Sequence, residues 1–357
     1  MSRQYKVLTI NPGSTSTKIA LYKDEEEVFS VNLSHPAEAL AKYEKIVDQY
    51  DFRNEFIIKA LKENSIDIKS IDAVVGRGGL LKPIPGGTYE VNEAMLKDLQ
   101  EGKRGEHASN LGGILAYWLA KAAGCKSYIV DPVVVDEMND LARISGNPLL
   151  PRISIFHALN QKAVARQAAY ILGRRYEELN LIVAHLGGGI SVGVHENGRV
   201  VDINNALDGD GPFSPERSGG VPAGALVRLC FSKEYTEGEI KKQIKGSGGL
   251  VAYLGTNDVR EVEKRIESGD GKARLIYTAM AYQVAKEIGQ MATVVSGRVD
   301  AIILTGGIAH AKAFVSLIED RVSFIGKVIV LAGEKELESL RDGALRILRG
   351  EETPQIY

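Results

Sequence analysis

The residues best suited to chemistry lie in three short loops, each following an apolar run. Asn11-Pro12-Gly13-Ser14-Thr15-Ser16-Thr17-Lys18 places four hydroxyls and a lysine around a glycine turn. Backbone N–H groups opened by Gly13, the hydroxyls of Ser14 and Ser16, and the point charge of Lys18 make a donor set for phosphate. A plain polar hairpin turn uses the same residue types, so the density of donors is what raises the anion reading. His185-Leu186-Gly187-Gly188-Gly189 and Gly306-Gly307 repeat the theme. Consecutive glycines after a buried strand cost backbone entropy and are expected where a ligand or another backbone comes close. Three such loops point to a nucleotide gripped between two lobes. Neither a Walker sequence nor a protein-kinase motif set is present.

Such loops need rigid strands beneath them. Apolar runs rich in β-branched residues occur at Val7–Ile10, Ala73–Val75, Tyr128–Val130, Leu181–His185, Ile302–Thr305 and Lys327–Leu331. Helical patterns fall at Asp51–Asn64, Ser109–Ala123, Asn160–Leu172, Gly271–Val295 and Glu334–Arg349. The alternation predicts an α/β protein containing parallel strand pairs. The chain also resembles itself. Asp72–Leu80 (DAVVGRGGL) matches Asp300–Ile308 (DAIILTGGI), and the strand–turn–strand segment that opens the chain matches Leu181–His195. Two such pairs in the same order predict a duplication. The boundary is expected in Ser145–Arg152, giving domains 1–150 and 151–337, with a C-terminal helix at about 338–357 returning to the first. Trp118 is expected in a helix core, and Cys125 and Cys230 as buried thiols in a reducing compartment.

Composition bounds the remainder. The chain has 357 residues, 44% hydrophobic and 25% charged, which fits about two globular domains and excludes disorder as the main state. Forty-four basic against 46 acidic side chains leave no electrostatic footprint for nucleic acid. No apolar run of about 18 residues predicts a membrane span, and the first residues lack a signal-peptide pattern; a cytoplasmic location is expected. No Cys/His cluster has zinc spacing.

In these motifs the chain resembles the acetate and butyrate kinase family, within the sugar kinase, heat-shock and actin superfold. Asn11 through Lys18 matches that family's N-x-G-S-[ST]-S-x-K, His185–Ser191 is similar to its H-L-G-N-G loop, and Glu216–Gly219 to its T-R-S-G. The likeness runs from residue 7 to about 349. GRGGLLKPIPGG, EHASNLGG, VDPVVVDEM, SIFHALNQK and NNALDGDGPFSPERSGG place it nearest the butyrate kinase branch. The resemblance implies two duplicated ribonuclease-H-like α/β domains around a nucleotide cleft. It implies reversible transfer of a phosphoryl group from ATP, carried with Mg2+, to a short-chain fatty acid, giving ADP and the acyl phosphate.

Residue by residue, the resemblance implies Asp131, His157 and Arg217 as catalytic. Arg77, Gly79 and His107 would bind the acid. Ser14, Ser16, Lys18, His185, Gly187, Gly188, Gly189, Asp258, Val259, Arg260, Gly306, Gly307 and His310 would bind nucleotide and phosphate, and Asn11 and Glu336 the metal. Glu334 and Glu338 compete for the last role. A guanidinium suits a carboxylate because it bonds in a bidentate manner. Gly78 and Gly79 beside Arg77 are read as space for an acyl tail, predicting a preference for acids larger than acetate. Gly188 replaces the family's asparagine and removes a side-chain donor. A homodimer or higher assembly is implied, with no nucleic acid or membrane partner. Acetate or propionate kinase activity is the nearest alternative, a sugar kinase a further one, and an actin-like ATPase switch a remote one.

Overall fold

The computed structural model describes residues 3–357. Among them, twelve strands form two sheets: β1 (Lys6–Pro12), β2 (Ser16–Lys23), β3 (Glu26–Ser34), β4 (Ala73–Arg77), β5 (Thr88–Glu90), β6 (Lys126–Val130), β7 (Asn180–Leu186), β8 (Ile190–Glu196), β9 (Arg199–Ile203), β10 (Ala301–Gly306), β11 (Lys327–Ala332) and β12 (Gln355–Ile356). The chain divides into two compact units. One comprises the described residues through Val135 together with Lys335–Tyr357, the other Asp136–Glu334.

The two sheets share one plan. The first runs β12-β5-β6-β4-β1-β2-β3, the second β11-β10-β7-β8-β9. In each, a hairpin (β1–β2, β7–β8) is extended by an antiparallel third strand and flanked on its other side by two parallel strands. The sequence repeat is therefore structural. It extends to a detail: the Asp72 carboxylate accepts from the Lys6 N–H, and the Asp300 carboxylate from the Asn180 N–H, both at 2.8 Å. Each aspartate fixes the register at which a parallel strand joins its hairpin.

Burial on both faces explains why the parallel strands read as continuous apolar runs. Along β7, Ile182, Ala184 and Leu186 pack with Met280, Val284 and Ile288 of the helix Gly271–Val294. Leu181 and Val183 point the other way, against Val164, Ala165 and Ala168 of the helix Ala158–Ile171. In the first unit, Leu8, Ile10 and Val74 meet Leu111 and Leu115 of the helix Asn110–Ala123. The helix Glu336–Leu348 packs on β1, β4 and β6.

The helix Asn110–Ala123 comes unusually close to β4. A Cβ at Gly76 would lie 2.0 Å from the Gly112 carbonyl oxygen, and one at Gly112 would lie 2.2 Å from that of Arg77. The paired glycines allow backbone to touch backbone, and this seats the strand end that carries Arg77.

Two expectations fail here. Trp118 is 41% exposed, with the Lys121 ammonium 4.9 Å from its ring centroid. Its helix is apolar nearly all round, so periodicity could not tell which side faces water. Cys125 is half-buried and Cys230 exposed, and both are free thiols. No helix is long and apolar enough to cross a membrane among the described residues.

Candidate active site

In the second unit, the loop after β7, the turn after β10 and the start of the helix Val259–Glu267 surround a pocket of about 800 Å³. Seven expected nucleotide residues line it: Gly187, Gly188, Asp258, Val259, Arg260, Gly307 and His310. Asp258 caps its helix, accepting from the Arg260 N–H, and its carboxylate is held by the Arg260 guanidinium at 2.8 Å. That bond, assisted by the backbone, lowers the Asp258 pKa to about 2. A side chain at Gly307 would meet nothing within 4 Å, so that glycine borders open pocket space. Gly306, by contrast, has φ +87°, and a Cβ there would strike the Leu186 carbonyl at 2.4 Å; it shapes the turn.

His185, Gly189, His157 and Arg217 form a second group in this unit. The His157 and His185 rings stack, with centroids 3.8 Å apart and planes 8° from parallel. Buried His185 meets Asn160 Oδ1 through Nδ1 at 2.7 Å. Its Nε2 lies 3.0 Å from Glu334, close enough for an ion pair but off line for a hydrogen bond. The Arg217 guanidinium lies over Gly189, where a Cβ would stand 1.8 Å from Nη1. Arg217 Nη1 donates to the Ala206 carbonyl at 2.6 Å, and burial lowers its pKa from the ordinary arginine value. It nevertheless remains a cation, largely out of water and ready to meet an anion.

In the first unit, Asn11, Arg77 and Glu336 converge. Arg77 Nη1 is 2.8 Å from a Glu336 carboxylate oxygen and donates to Asn11 Oδ1 at 3.3 Å, while Asn11 Nδ2 donates to Glu336. The geometry separates the three competing glutamates. Glu336 stands by Asn11, Glu334 by His185, and Glu338 close enough to Tyr22 to help raise its pKa. Lys18 is the cross-strand partner of Asn11 and is exposed, as is Ser14; Ser16 is half-buried. His107 is exposed, with Nδ1 2.8 Å from the Ser109 hydroxyl. Asp131 follows directly on β6 at φ +37°, 2% exposed, and its Oδ1 accepts from the Gly87 N–H at 2.7 Å. A non-glycine residue held at positive φ stores strain, a mark of functional positions.

The reading of Gly79 as acyl space is corrected. A Cβ at Gly79 would lie 2.4 Å from Asn110 Oδ1 and 2.5 Å from Asn110 Cα, and one at Gly78 would lie 2.5 Å from Pro132 Cβ. Both glycines make room for the protein's own packing, so the preference for larger acids drawn from them lapses.

Sequence reasoning missed Arg53. On the helix Tyr50–Glu63 it is fully buried beneath the Asn11–Lys18 loop, donating to the carbonyls of Gly13, Ser14 and Ser16 at 2.8–3.1 Å. Its spacing with Ile57 and Leu61 places it on the apolar face, and that was the available signal. Gln161 and Ser191 were also missed as site components; they stand inside SIFHALNQK and the His185–Ser191 loop, but nothing in their types or spacing gives them a role.

Comparison with known proteins follows the same lines. The acetokinase family model matches residues 149–343. Butyrate kinase 2 of Clostridium acetobutylicum is 58% identical over 354 residues, and butyrate kinase 1 of that organism 59% over 353, each covering 99% of both chains. The acetate kinase structure from Porphyromonas gingivalis superposes with a TM-score of 0.80 at 22% identity, covering 96% of this chain and all of that one. A ROK family protein from Streptococcus pneumoniae gives 0.52 at 13%, covering 96% of this chain and 99% of that one. The fold is thus the one acetate kinases share with ROK sugar kinases, the actin-like superfold. The chain belongs to the acetokinase family.

Proposed function

We propose that the protein is a butyrate kinase, transferring the γ-phosphoryl group of ATP reversibly to the carboxylate of butyrate or a close relative. The observation that carries this reading is 58–59% identity to two butyrate kinases over nearly the whole chain. The pocket of the second unit supplies a place for the nucleotide, and the glycine loops let phosphate oxygens approach backbone N–H groups.

The fatty acid arrives ionised, since its carboxyl titrates near a glutamate's value of about 4.3, so no base is needed. One carboxylate oxygen forms the bond to the γ-phosphorus, and the bond to the bridging oxygen of ADP breaks. Such transfer depends on position and charge neutralisation. We assign Arg77 to the acid's carboxylate, with His107 accessory to it. Arg217 and His157 act on the transferring phosphoryl group, and Ser14, Ser16 and Lys18 on phosphate oxygens. Asp131 orients rather than deprotonates.

Magnesium suits this donor set only as a metal carried on phosphate. Asn11 and Glu336 offer one amide oxygen and one carboxylate, and no group of three or more His, Cys, Asp or Glu residues could hold a metal among the described residues. Mg2+ usually keeps several waters and takes one or two carboxylates beside substrate phosphates; when bound, it would neutralise phosphate charge. We further propose a cytoplasmic homodimer or higher oligomer. Exposed Leu141, Ile144, Leu149 and Leu150 form an apolar stretch that an assembly would cover.

The test is formation of hydroxylamine-trappable acyl phosphate from ATP across straight and branched acids of two to five carbons. Butyrate or a branched neighbour should give the highest kcat/KM. A maximum at acetate or propionate would assign the alternative, and no acyl phosphate from any acid would overturn the reading.

A further inference from the structure

Behind His157, buried polar groups link one to the next through the second unit. Tyr176 Oη lies 2.7 Å from His195 Nδ1, and His195 Nε2 lies 3.1 Å from Gln161 Oε1. Gln161 Nε2 lies 3.0 Å from the Ser191 carbonyl and 2.8 Å from the Ser191 hydroxyl. That hydroxyl lies 2.9 Å from His157 Nδ1. His195, Gln161 and Ser191 are each fully buried, so every proton in the chain needs an acceptor within the protein.

The direction of the chain follows from one fixed point. The Ser191 carbonyl can only accept, so the Gln161 nitrogen, not its oxygen, must face it. Gln161 Oε1 therefore faces His195 and takes a proton from Nε2. Burial first, then the nearby charges of Lys162 and Arg166, holds the His195 pKa well below the ordinary histidine value. His195 is thus neutral with its proton on Nε2, and its Nδ1 accepts from Tyr176. On the other side, the Ser191 hydroxyl already accepts from Gln161. Its own proton goes to His157 Nδ1, since a buried hydroxyl that donates to nothing costs about 1–3 kcal/mol. Gly193 leaves room for this arrangement, because a Cβ there would come within 3.0 Å of Gln161 Oε1.

We propose that Tyr176, His195, Gln161 and Ser191 are positioning residues whose directed hydrogen bonds hold His157 as the neutral tautomer protonated on Nε2, so that it meets the transferring phosphoryl group as an N–H donor. The proposal rests on the reading that His157 serves phosphoryl transfer.

The test is long-range 15N–1H correlation spectroscopy on histidine-labelled protein at about pH 8.5, above the ordinary histidine pKa of about 6.5, with the His157 signals assigned by loss in His157→Gln. The wild type should show a protonated Nε2 and a bare Nδ1. Gln161→Glu puts a carboxylate, which can only accept, beside the Ser191 hydroxyl and reverses it. His157 should then move to the Nδ1-protonated form, and kcat should fall at least about tenfold, while KM for ATP stays within about twofold. An Nδ1-protonated His157 in the wild type overturns the proposal without any variant, as does an unchanged tautomer in folded Gln161→Glu. Unchanged kcat in His157→Ala would instead overturn the catalytic reading of His157 and leave the tautomer result standing.

Discussion

Gly189→Ala should disable phosphoryl transfer while leaving the protein folded. The added Cβ would stand 1.8 Å from Arg217 Nη1 and 2.2 Å from Cζ, whereas ordinary contacts begin at 3.4 Å. The guanidinium must therefore retreat by roughly 1.6 Å, and displacement of a reacting group by about 1 Å can cost about 10²-fold. Movement on that scale also loosens the 2.6 Å bond from Arg217 to the Ala206 carbonyl. The backbone at Gly189 has no positive φ, and the atoms struck are the far end of a side chain, so thermal stability should change little. Initial rates of acyl phosphate formation should show kcat lower by about 10²-fold with KM for ATP within about threefold, approaching the loss in Arg217→Ala. Gly188→Ala is the comparison within the same loop: its Cβ would meet Glu216 at 3.6 Å, an ordinary contact, so kcat should be retained, with any effect confined to KM for ATP, whose pocket Gly188 lines. If Gly189→Ala kept wild-type kcat while Arg217→Ala lost it, the claim that Gly189 seats the arginine would be wrong.

Arg53→Met should destabilise the first unit by about 2–4 kcal/mol, because three loop carbonyls lose charged donors that water only partly replaces; thermal unfolding lowered by several degrees is expected, and an unchanged midpoint refutes it. Burial, then repulsion from Asp210, raises the Glu287 pKa to about 7 from 4.5. The folded state holds that proton more tightly than the unfolded chain, so this site's contribution to stability declines as pH rises from about 4.5 to about 7. Glu287→Gln should accordingly be more stable than wild type at pH 8 and lose that advantage toward pH 5 in denaturant titrations; a constant difference would refute the assignment. Glu336→Gln should raise the Mg2+ concentration for half-maximal activity by about tenfold or more, and an unchanged titration would remove Glu336 from the metal's surroundings.

The fold was legible where burial wrote a pattern. Strands β1, β4, β6, β7 and β10 are largely buried, and edge strand β11, though partly exposed, keeps a β-branched apolar run; these runs marked all six to within about two residues. Strand β3 alternates half-buried and exposed positions, and β5 and β12 have three and two residues, too few for a periodic signal. The glycine loops were visible as composition, but what each glycine serves was not. Gly189 yields to an arginine 28 positions later, Gly79 to Asn110, and Gly307 to open pocket space. Close approach is a property of the partner, and spacing along the chain does not name the partner. The same reason hid Arg53 and the Gln161 relay, which join residues without any shared motif.

The return of the last segment to the first unit has a consequence for synthesis. Helix Glu336–Leu348 covers a face of β1, β4 and β6, and β12 pairs with β5, yet both are translated only after Asp136–Glu334. At about 5–20 residues per second, residues 136–357 take roughly 10–45 s to emerge. Throughout that interval the opening unit waits on the ribosome with one apolar sheet face uncovered, while Asp136–Glu334, a continuous stretch, can close by itself. Of the two units, the one begun first is completed second, and its uncovered sheet face is open to aggregation in the meantime.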